Sequence, residues 1–183
     1  MKSRKELWEE AVGFHGHSCP GLAIGVRIAL DFREELGLEA RAGDEELTAV
    51  VETDACGVDG IQVILGCTAG KGNLWLRKRG KHVFTLYRRL DNCGRRYHWH
   101  GSMAGNPSRE EKIDYFLNGP AEALYTAGPA RHPLPPEAPR LNSINCQVCG
   151  EAAAEPNLRV RDGRMICLDC AGLPLDLSRR IEL

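Results

Sequence analysis

Two histidines and one cysteine lie within five residues near the start of the chain, in the segment 14–21, which reads FHGHSCPG. In an extended backbone, side chains two residues apart share a face, so His15, His17 and Cys19 point the same way at steps of roughly 6 to 7 Å. Imidazole nitrogens and thiolate sulfurs are ligands of zinc and of iron. The segment is therefore typical of one half of a metal site. The alternative is a glycine-rich turn with solvated histidines.

Cys19 also precedes a proline, and Pro20 suits the first position of a helix because its missing N–H is not needed there. Cys19 is then the cap residue at the positive end of the helix dipole, which favours thiolate, the form that binds metals and acts as a nucleophile. The helix, predicted to run from Pro20 to Leu36, is apolar over most of its surface and should be buried. Arg27 is the exception, either a surface arginine or an anion clamp that faces the site.

A second cysteine, Cys56, follows a β-rich stretch at 46–53 and lies at the start of another predicted helix, which Thr53 or Asp54 can cap. Cys67 comes eleven residues after Cys56. At 1.5 Å per residue this is roughly 16 Å along a helix, so the two cysteines cannot share one metal. We therefore assign them separate roles, with Cys67 at the far end of the helix.

The two helix amino ends predict a core metal site made of His17, Cys19 and Cys56, with His15 and Cys67 as alternative members. It binds zinc or iron and leaves one coordination position for water or substrate. An open position is typical of a catalytic site, so Cys19, Cys56 and His15 are the catalytic candidates. Nearby carboxylates could act in acid–base chemistry or support the ligands: Glu52, Asp54 and Asp59. The alternative is a pair of buried structural cysteines.

The segment 66–73, GCTAGKGN, resembles a phosphate-binding P-loop only superficially. Three residues separate Gly66 from Gly70, a glycine replaces the hydroxyl residue, and a predicted helix rather than a strand precedes the loop. Glycines can still let the backbone approach a ligand closely. Lys71, with Arg27, is therefore a candidate for binding an anionic cofactor.

The remaining patterns predict an α+β fold, with a mixed sheet packed against helices. Alternating segments on either side of the basic turn 78–81 predict a hairpin, and residues 95–100 predict a strand with His98 and His100 on one face. These two histidines are typical of an exposed strand face, although such a pair can also bind metal. Capping boxes predict two helix starts, Ser3 with Glu6 and Ser108 with Glu111.

Four cysteines form a second and more specific motif near the end of the chain. Cys146, Cys149, Cys167 and Cys170 have the spacing C-x2-C-x17-C-x2-C, which is typical of a zinc ribbon with four thiolate ligands. The sequence predicts a core domain over 1–127, a proline-rich linker over 128–141 and a ribbon over 142–183. So short a ribbon needs its metal to fold, so we expect structural zinc, with iron as the alternative.

Composition excludes some classes of function. The 183 residues include 24 Lys and Arg and 25 Asp and Glu, so the net charge of −1 gives no general affinity for nucleic acid or anionic membranes. No run of 18 apolar residues and no secretion signal is visible, which predicts a cytoplasmic protein. Eight cysteines in a reducing compartment are then more typical of ligands or redox groups than of disulfides.

The motifs around Cys19 and Cys56 resemble those of the FmdE family, the proteins related to the FmdE component of formylmethanofuran dehydrogenase. The likeness includes FHGHSCPGL at 14–22, DACGVDGIQ at 54–62, GCT at 66–68, GKGNL at 70–74 and the carboxy-terminal ribbon. Asp59-Gly60 stands where the family is associated with Asp-Ala. The resemblance implies an α+β core, a zinc-finger appendage and a metal site built from the His and Cys motifs. It also implies association with a molybdenum or tungsten oxidoreductase of methanogenesis.

Two classes of function stay open from the sequence. In the first, the core is a metal- and thiol-dependent enzyme or an accessory component of such an oxidoreductase. In the second, it is a metal carrier or a regulator whose ribbon contacts protein or nucleic acid, although the mixed charges of the ribbon make nucleic acid the weaker partner. We also expect a homodimer, because residues 128–139 could span roughly 35 Å as extended polyproline, enough to cross a dimer interface. Leucines 173, 175 and 177 would favour swapping of the ribbon between two chains.

Overall fold

The computed structural model describes residues 2–38, 43 and 45–173. Residues 174–183 of the predicted ribbon, with Leu175 and Leu177, lie outside the described residues. The elements up to residue 129 are α1 (Arg4–His15), α2 (Pro20–Glu35), β1 (Leu47–Val51), α3 (Gly57–Leu65), β2 (Leu74–Leu76), β3 (Val83–Arg88), β4 (Cys93–Trp99), α4 (Arg109–Asn118), α5 (Ala121–Leu124) and β5 (Tyr125–Pro129). Both predicted capping boxes are confirmed, at the starts of α1 and α4.

One five-stranded sheet forms the centre of the core, in the order β2-β1-β3-β4-β5. The pair β1–β2 is parallel and the other three pairs are antiparallel, which confirms a mixed sheet. The predicted hairpin is wrong, because β2 and β3 lie on opposite sides of β1. The basic loop between them crosses the end of β1, where Arg77 N donates to Val51 O at 2.7 Å and Arg79 N donates to Glu52 O at 2.9 Å.

Helix α2 lies in the hydrophobic core and is buried from Leu22 to Leu30, together with Phe32. Its arginine, Arg27, is only 7% exposed. Arg27 Nε donates to Asp31 at 2.6 Å, and Nη1 donates to the carbonyls of Leu117 at 3.0 Å and Gly119 at 2.8 Å. Arg27 is therefore not a surface arginine. Its guanidinium joins α2 to the carboxyl end of α4, and Asp31 and the two carbonyls account for its burial without a bound anionic ligand.

The proline-rich segment is attached to the core at its beginning. The predicted linker starts at residue 128, but β5 continues to Pro129. Beyond β5, Tyr87 Oη donates to the carbonyl of His132 at 3.0 Å, and Arg89 Nη1 donates to that of Pro135 at 2.9 Å. Two compact units result, with the division between residues 137 and 138.

Over its described residues, 138–173, the second unit contains two small antiparallel sheets and one turn of 3-10 helix. Its elements are β6 (Ser143–Asn145), β7 (Ala152–Ala154), the 3-10 turn Glu155–Asn157, β8 (Leu158–Arg161) and β9 (Arg164–Cys167). Its apolar cluster of buried residues consists of Cys146, Leu158, Ile166, Cys167 and Ala171. Among the described residues of this unit, so small a cluster provides little stabilisation by hydrophobic burial. Among the described residues of both units, no helix is long and apolar enough to cross a bilayer.

Candidate metal centres

The segment 14–21 forms a tight turn between α1 and α2. Helix α1 ends at His15 because Gly16 adopts a left-handed conformation, with φ of 85°. Cys19 is the cap of α2, as Pro20 predicts, and its Sγ accepts a hydrogen bond from Leu22 N at 3.3 Å. The turn brings ligand atoms of His15, His17 and Cys19 within 4.8 Å of one another.

His15 is held in place by a carboxylate from another helix. Its Nδ1 lies 2.6 Å from Asp59 Oδ2, and the second oxygen of Asp59 accepts from Gln62 Nε2 at 3.0 Å. A hydrogen bond donated by Nδ1 leaves the lone pair on Nε2, which is the tautomer that a metal requires. The ring is only slightly exposed. The pair Asp59–His15 therefore has the arrangement that carboxylates and metal-ligating histidines adopt in metalloproteins.

The distance between His15 and Cys19 also fits a metal. His15 Nε2 lies 3.7 Å from Cys19 Sγ. With Zn–N near 2.0 Å and Zn–S near 2.3 Å, two ligand atoms at a tetrahedral angle are about 3.5 Å apart. The donor set and its spacing therefore suit one zinc or iron ion. His15 would be a ligand through Nε2, beside His17 and Cys19.

Cys56 adjoins this group without being one of the three. A Cβ atom placed on Gly21 would lie 3.8 Å from Cys56 Sγ and 3.9 Å from Cys19 Sγ, so the two thiols flank the same glycine. Burial, followed by hydrogen bonding to Cys19, raises the pKa of Cys56 above its ordinary value. The structure thus brings His17 and Cys19 together as predicted, places His15 with them, and sets Cys56 beside Cys19.

The start of α3 differs from the prediction. Thr53 and Asp54 do not cap the helix. Cys56 occupies the cap position without a side-chain hydrogen bond to the backbone. Thr53 Oγ1 instead accepts from Ala55 N at 3.2 Å. The chain therefore turns before Cys56, which frees the thiol from capping.

Glycines explain how the two helix amino ends approach each other. A Cβ on Gly25 of α2 would collide with the carbonyl oxygen of Gly57 in α3. A Cβ on Gly60 would lie 2.5 Å from Val26 N, and one on Gly57 would lie 3.2 Å from Gly21 O. Backbone thus packs on backbone between α2 and α3, and this contact brings Cys56 next to Cys19. No backbone contact between the two helices was predicted, although the glycines at 21, 25, 57 and 60 were a visible signal for it.

Cys67 and Lys71 lie at the other end of α3. Gly66 ends the helix with φ of 69°, and Cys67 follows as a fully buried residue. Burial raises the pKa of Cys67 to about 12. Lys71 Nζ donates to Gly66 O at 3.3 Å, which places a cation at the negative end of the helix. Cys67 is thus separated from Cys56 by the length of α3, as the eleven-residue spacing predicts.

Two further groups surround the core cluster. Lys78 Nζ lies 2.9 Å from Asp54 Oδ2, which ties the basic loop to the residues that lead into Cys56. The Arg109 guanidinium, at the start of α4, donates to the carbonyl of Ser18 within the His–Cys turn. His98 and His100 are exposed at the end of β4, with ring centroids 6.3 Å apart.

The four ribbon cysteines form the second cluster, with all four sulfurs within 4.8 Å of one another. Cys149 Sγ and Cys167 Sγ are 3.9 Å apart, close to the separation of about 3.8 Å between two sulfurs bound to tetrahedral zinc. Backbone hydrogen bonds lower the pKa of Cys146 to about 6, whereas hydrogen bonding to Cys167, followed by burial, raises that of Cys170 to about 12. Four adjacent sulfurs thus cannot all ionise alone, and a bound cation would remove the conflict.

Comparison with known proteins places this geometry in a family. The family model described as FmdE, molybdenum formylmethanofuran dehydrogenase operon, matches residues 14–126, which contain the His–Cys turn, Cys56 and the whole sheet up to the start of β5. The chain belongs to the FmdE family. The resemblance seen in the sequence is therefore confirmed.

Two individual proteins show how far the similarity extends. A protein of Archaeoglobus fulgidus named probable S-adenosyl-L-methionine-binding protein is 31% identical over 190 aligned positions, covering 87% of this chain. The chain spans only 50% of that relative's length. A crystal structure of a tungsten formylmethanofuran dehydrogenase FmdE-like protein from Syntrophus aciditrophicus matches with a TM-score of 0.62 at 22% identity, covering 93% of each chain. The latter confirms the fold.

Proposed function

We propose that the core of this FmdE-family chain binds one zinc or iron ion and serves as a metal- and thiol-dependent enzyme or as an accessory component of one. The observation that carries the proposal is His15, whose Nδ1 is bound to Asp59 at 2.6 Å and whose Nε2 lies 3.7 Å from Cys19 Sγ. A histidine fixed by a carboxylate with its other nitrogen directed at a thiol is a costly arrangement without a cation. His15, His17 and Cys19 are the proposed ligands.

Each surrounding residue has a role in this proposal. A bound metal would polarise a carbonyl or activate water. Asp59 fixes the tautomer and orientation of His15, and the amino end of α2 stabilises the Cys19 thiolate. Cys56 either completes the ligand set or remains beside it as a reactive thiol. The raised pKa of Cys56 keeps it protonated when no cation is near.

Metal analysis of protein purified without chelators tests the core site. We expect close to two metal ions per chain, one in the core and one in the ribbon. The triple variant His15→Ala/His17→Ala/Cys19→Ser should carry one metal ion fewer. The variant Cys56→Ser binds the core metal more weakly if Cys56 is a fourth ligand, and equally well if Cys56 is only a neighbouring thiol. If the wild-type protein carries a single metal that is lost with the ribbon cysteines, the core proposal is wrong.

The proposal extends to the enzyme beside which this chain works. The family description and the Syntrophus protein's name both mention formylmethanofuran dehydrogenase. These names support a role beside a molybdenum or tungsten oxidoreductase of one-carbon metabolism, including methanogenesis. In this proposal the protein works in the cytoplasm as a homodimer and its ribbon holds structural zinc. Co-purification with such an enzyme, and sedimentation of the chain alone, test the two kinds of partner.

A second function is favoured by the Archaeoglobus relative, whose name states that it is a probable S-adenosyl-L-methionine-binding protein. On that alternative, the chain is a binding or regulatory module, or a metal carrier, and its metals are structural. Calorimetric titration with S-adenosyl-L-methionine separates the two. Binding that survives loss of the core metal would favour the module over the metal-dependent enzyme.

A further inference from the structure

A cluster of positive charge lies at the same end of the sheet as the core metal cluster. The loop 77–82 reads RKRGKH, with four cations in six residues, whereas the whole chain has a net charge of −1. Val51 at the end of β1 pairs with Leu76 of β2 and Phe84 of β3. The loop 77–82 and the segment 52–56, which ends in Cys56, therefore leave the sheet at the same place.

Backbone hydrogen bonds fix the position of this loop. Arg79 N donates to Glu52 O at 2.9 Å, and Lys81 N donates to the same oxygen at 3.2 Å. Gly80 between them adopts φ of 65°, which allows the loop to turn back on itself. The loop is thus held against the residues that precede Cys56.

The side chains of the loop divide into two pairs. The guanidinium of Arg77 lies 5.1 Å from the centre of the Trp75 ring, and Lys78 pairs with Asp54. Arg79 and Lys81 are exposed, and neither forms an ion pair with a described residue. Two cations without ion-pair partners among the described residues, on a loop whose backbone is held in place, favour the binding of an anion.

The loop also lies close to the metal cluster. Asp54, which binds Lys78, is two residues before Cys56, a distance of at most about 7 Å along the backbone. Cys56 in turn adjoins Cys19. At its other end, Trp99 N donates to His82 O at 2.9 Å, so the exposed His98 and His100 that flank Trp99 lie beside the loop.

We propose that the loop 77–82 binds the anionic groups of a small phosphate- or carboxylate-bearing substrate of the core metal centre, with Arg79 and Lys81 as the binding residues. That the bound anion is a substrate rests on the proposed function. That the loop binds an anion does not. A nucleic acid is the weaker occupant, because four clustered cations neutralise fewer phosphates than the roughly six to ten contacts of typical nucleic-acid interfaces.

The test uses the full chain with its metals and two probes, fructose 1,6-bisphosphate and tricarballylate, in calorimetric titrations. The variant Arg79→Ser/Lys81→Ser should bind the preferred probe at least about tenfold more weakly, since each charge-assisted contact is strong. The control Arg161→Ser/Arg164→Ser removes the same charge from the exposed β8–β9 hairpin of the ribbon and should bind as the wild type does. The better of the two probes identifies phosphate or carboxylate as the preferred group.

Three results would overturn the inference. They are equal affinity of wild type and loop variant, loss of metal from the loop variant, and binding of a single-stranded oligonucleotide in place of both probes. Failure of the proposed function gives a different pattern. If the bisphosphate is the preferred probe, replacement of the core metal by Co²⁺ should enhance its ³¹P relaxation, and His15→Ala should abolish that enhancement while the probe still binds. Loop-dependent binding to a chain whose core holds no metal would retain the anion site and refute the metal-dependent function.

Discussion

Asp59 is the residue on which the geometry of the core cluster depends. The variant Asp59→Asn should weaken metal binding in the core by about 10- to 100-fold, because the neutral amide no longer stabilises and orients His15 with a negative charge. Competition with a chromophoric chelator measures the affinity. Asp114→Asn is the matched control, since Asp114 is exposed on α4 and accepts only from Asn118 in the described structure. Equal affinity of Asp59→Asn and wild type would show that His15 is not a ligand.

Cys67 should be the least reactive core cysteine. Its pKa of about 12 leaves about one thiol in a thousand ionised at pH 9, and its side chain is fully buried. Alkylation should therefore modify Cys67 only on unfolding, whereas Cys19 and Cys56 should become reactive once a chelator removes metal. As the pH rises toward 9, the labelling of Cys67 in the native protein should not increase. Mass spectrometry of labelled peptides would contradict this if Cys67 reacts in the native protein.

The sequence indicated which residue types cluster in the core, histidine and cysteine, better than it indicated which of these residues lie together. The spacing of His15, His17 and Cys19 follows from a local turn, so it could be read directly. Asp59 was one of three carboxylates expected to support the ligands, but its pairing with His15 could not be read, because 44 residues separate the two. Local spacing also could not decide whether His15 or Cys56 lies nearer the other ligands, since that depends on how α1 and α3 pack.

At the scale of elements, the contact between α2 and α3 determines whether the cluster can form. Gly25→Ala places a methyl group against the backbone of Gly57, so we expect a loss of several kcal/mol of stability, roughly the cost of overpacking a rigid core, or failure to fold. Thermal and urea denaturation measure the effect.

Gly13 provides the control for that substitution. It lies inside α1, and a Cβ there meets nothing within 4 Å. Gly13→Ala should therefore stabilise the protein by up to about 1 kcal/mol, because alanine has the higher helix propensity. A Gly25→Ala protein as stable as the wild type would show that α2 and α3 are not in backbone contact.

The starts of α1 and α4 were predictable because their capping boxes are local, as Ser3 and Ser108 show, whereas the caps predicted for α3 were wrong. The strand order was not. The segments around the basic turn look like a hairpin by pattern, yet β2 pairs with β1 in parallel. The strand order depends on the pairing of β1 with β3, which is longer than that of β1 with β2, and on the loop that crosses the end of β1. Neither feature can be read from a short segment of sequence.

At the scale of the molecule, the two units should depend on metal separately. Cys146→Ser should unfold the carboxy-terminal unit, because its small apolar cluster needs the fourth sulfur and the cation. The core, with its own sheet and hydrophobic cluster, should keep its helices and its metal. Limited proteolysis and circular dichroism check both halves of the prediction. Collapse of the entire chain in this variant would contradict a division into two independently stable units.

The proline-rich segment shows why domain boundaries are hard to read from composition. Its prolines predicted a linker over 128–141, but Tyr87 donates to the carbonyl of His132 and Arg89 donates to that of Pro135. Carbonyl groups of a polyproline stretch have no partners within the segment, so they are available to side chains of the core. The segment is therefore bound to the core at His132 and Pro135.

The sheet order also limits how copies of this protein can associate. Its two edges are β2, which is three residues long, and β5, which ends in Gly128-Pro129. Short strands and prolines at an edge discourage pairing with strands of another molecule. We therefore expect neither a continuous intermolecular sheet nor edge-to-edge aggregation through the core. A homodimer would have to form through helices or through the ribbon, and hydrogen exchange at β2 and β5 should be the same at low and high protein concentration.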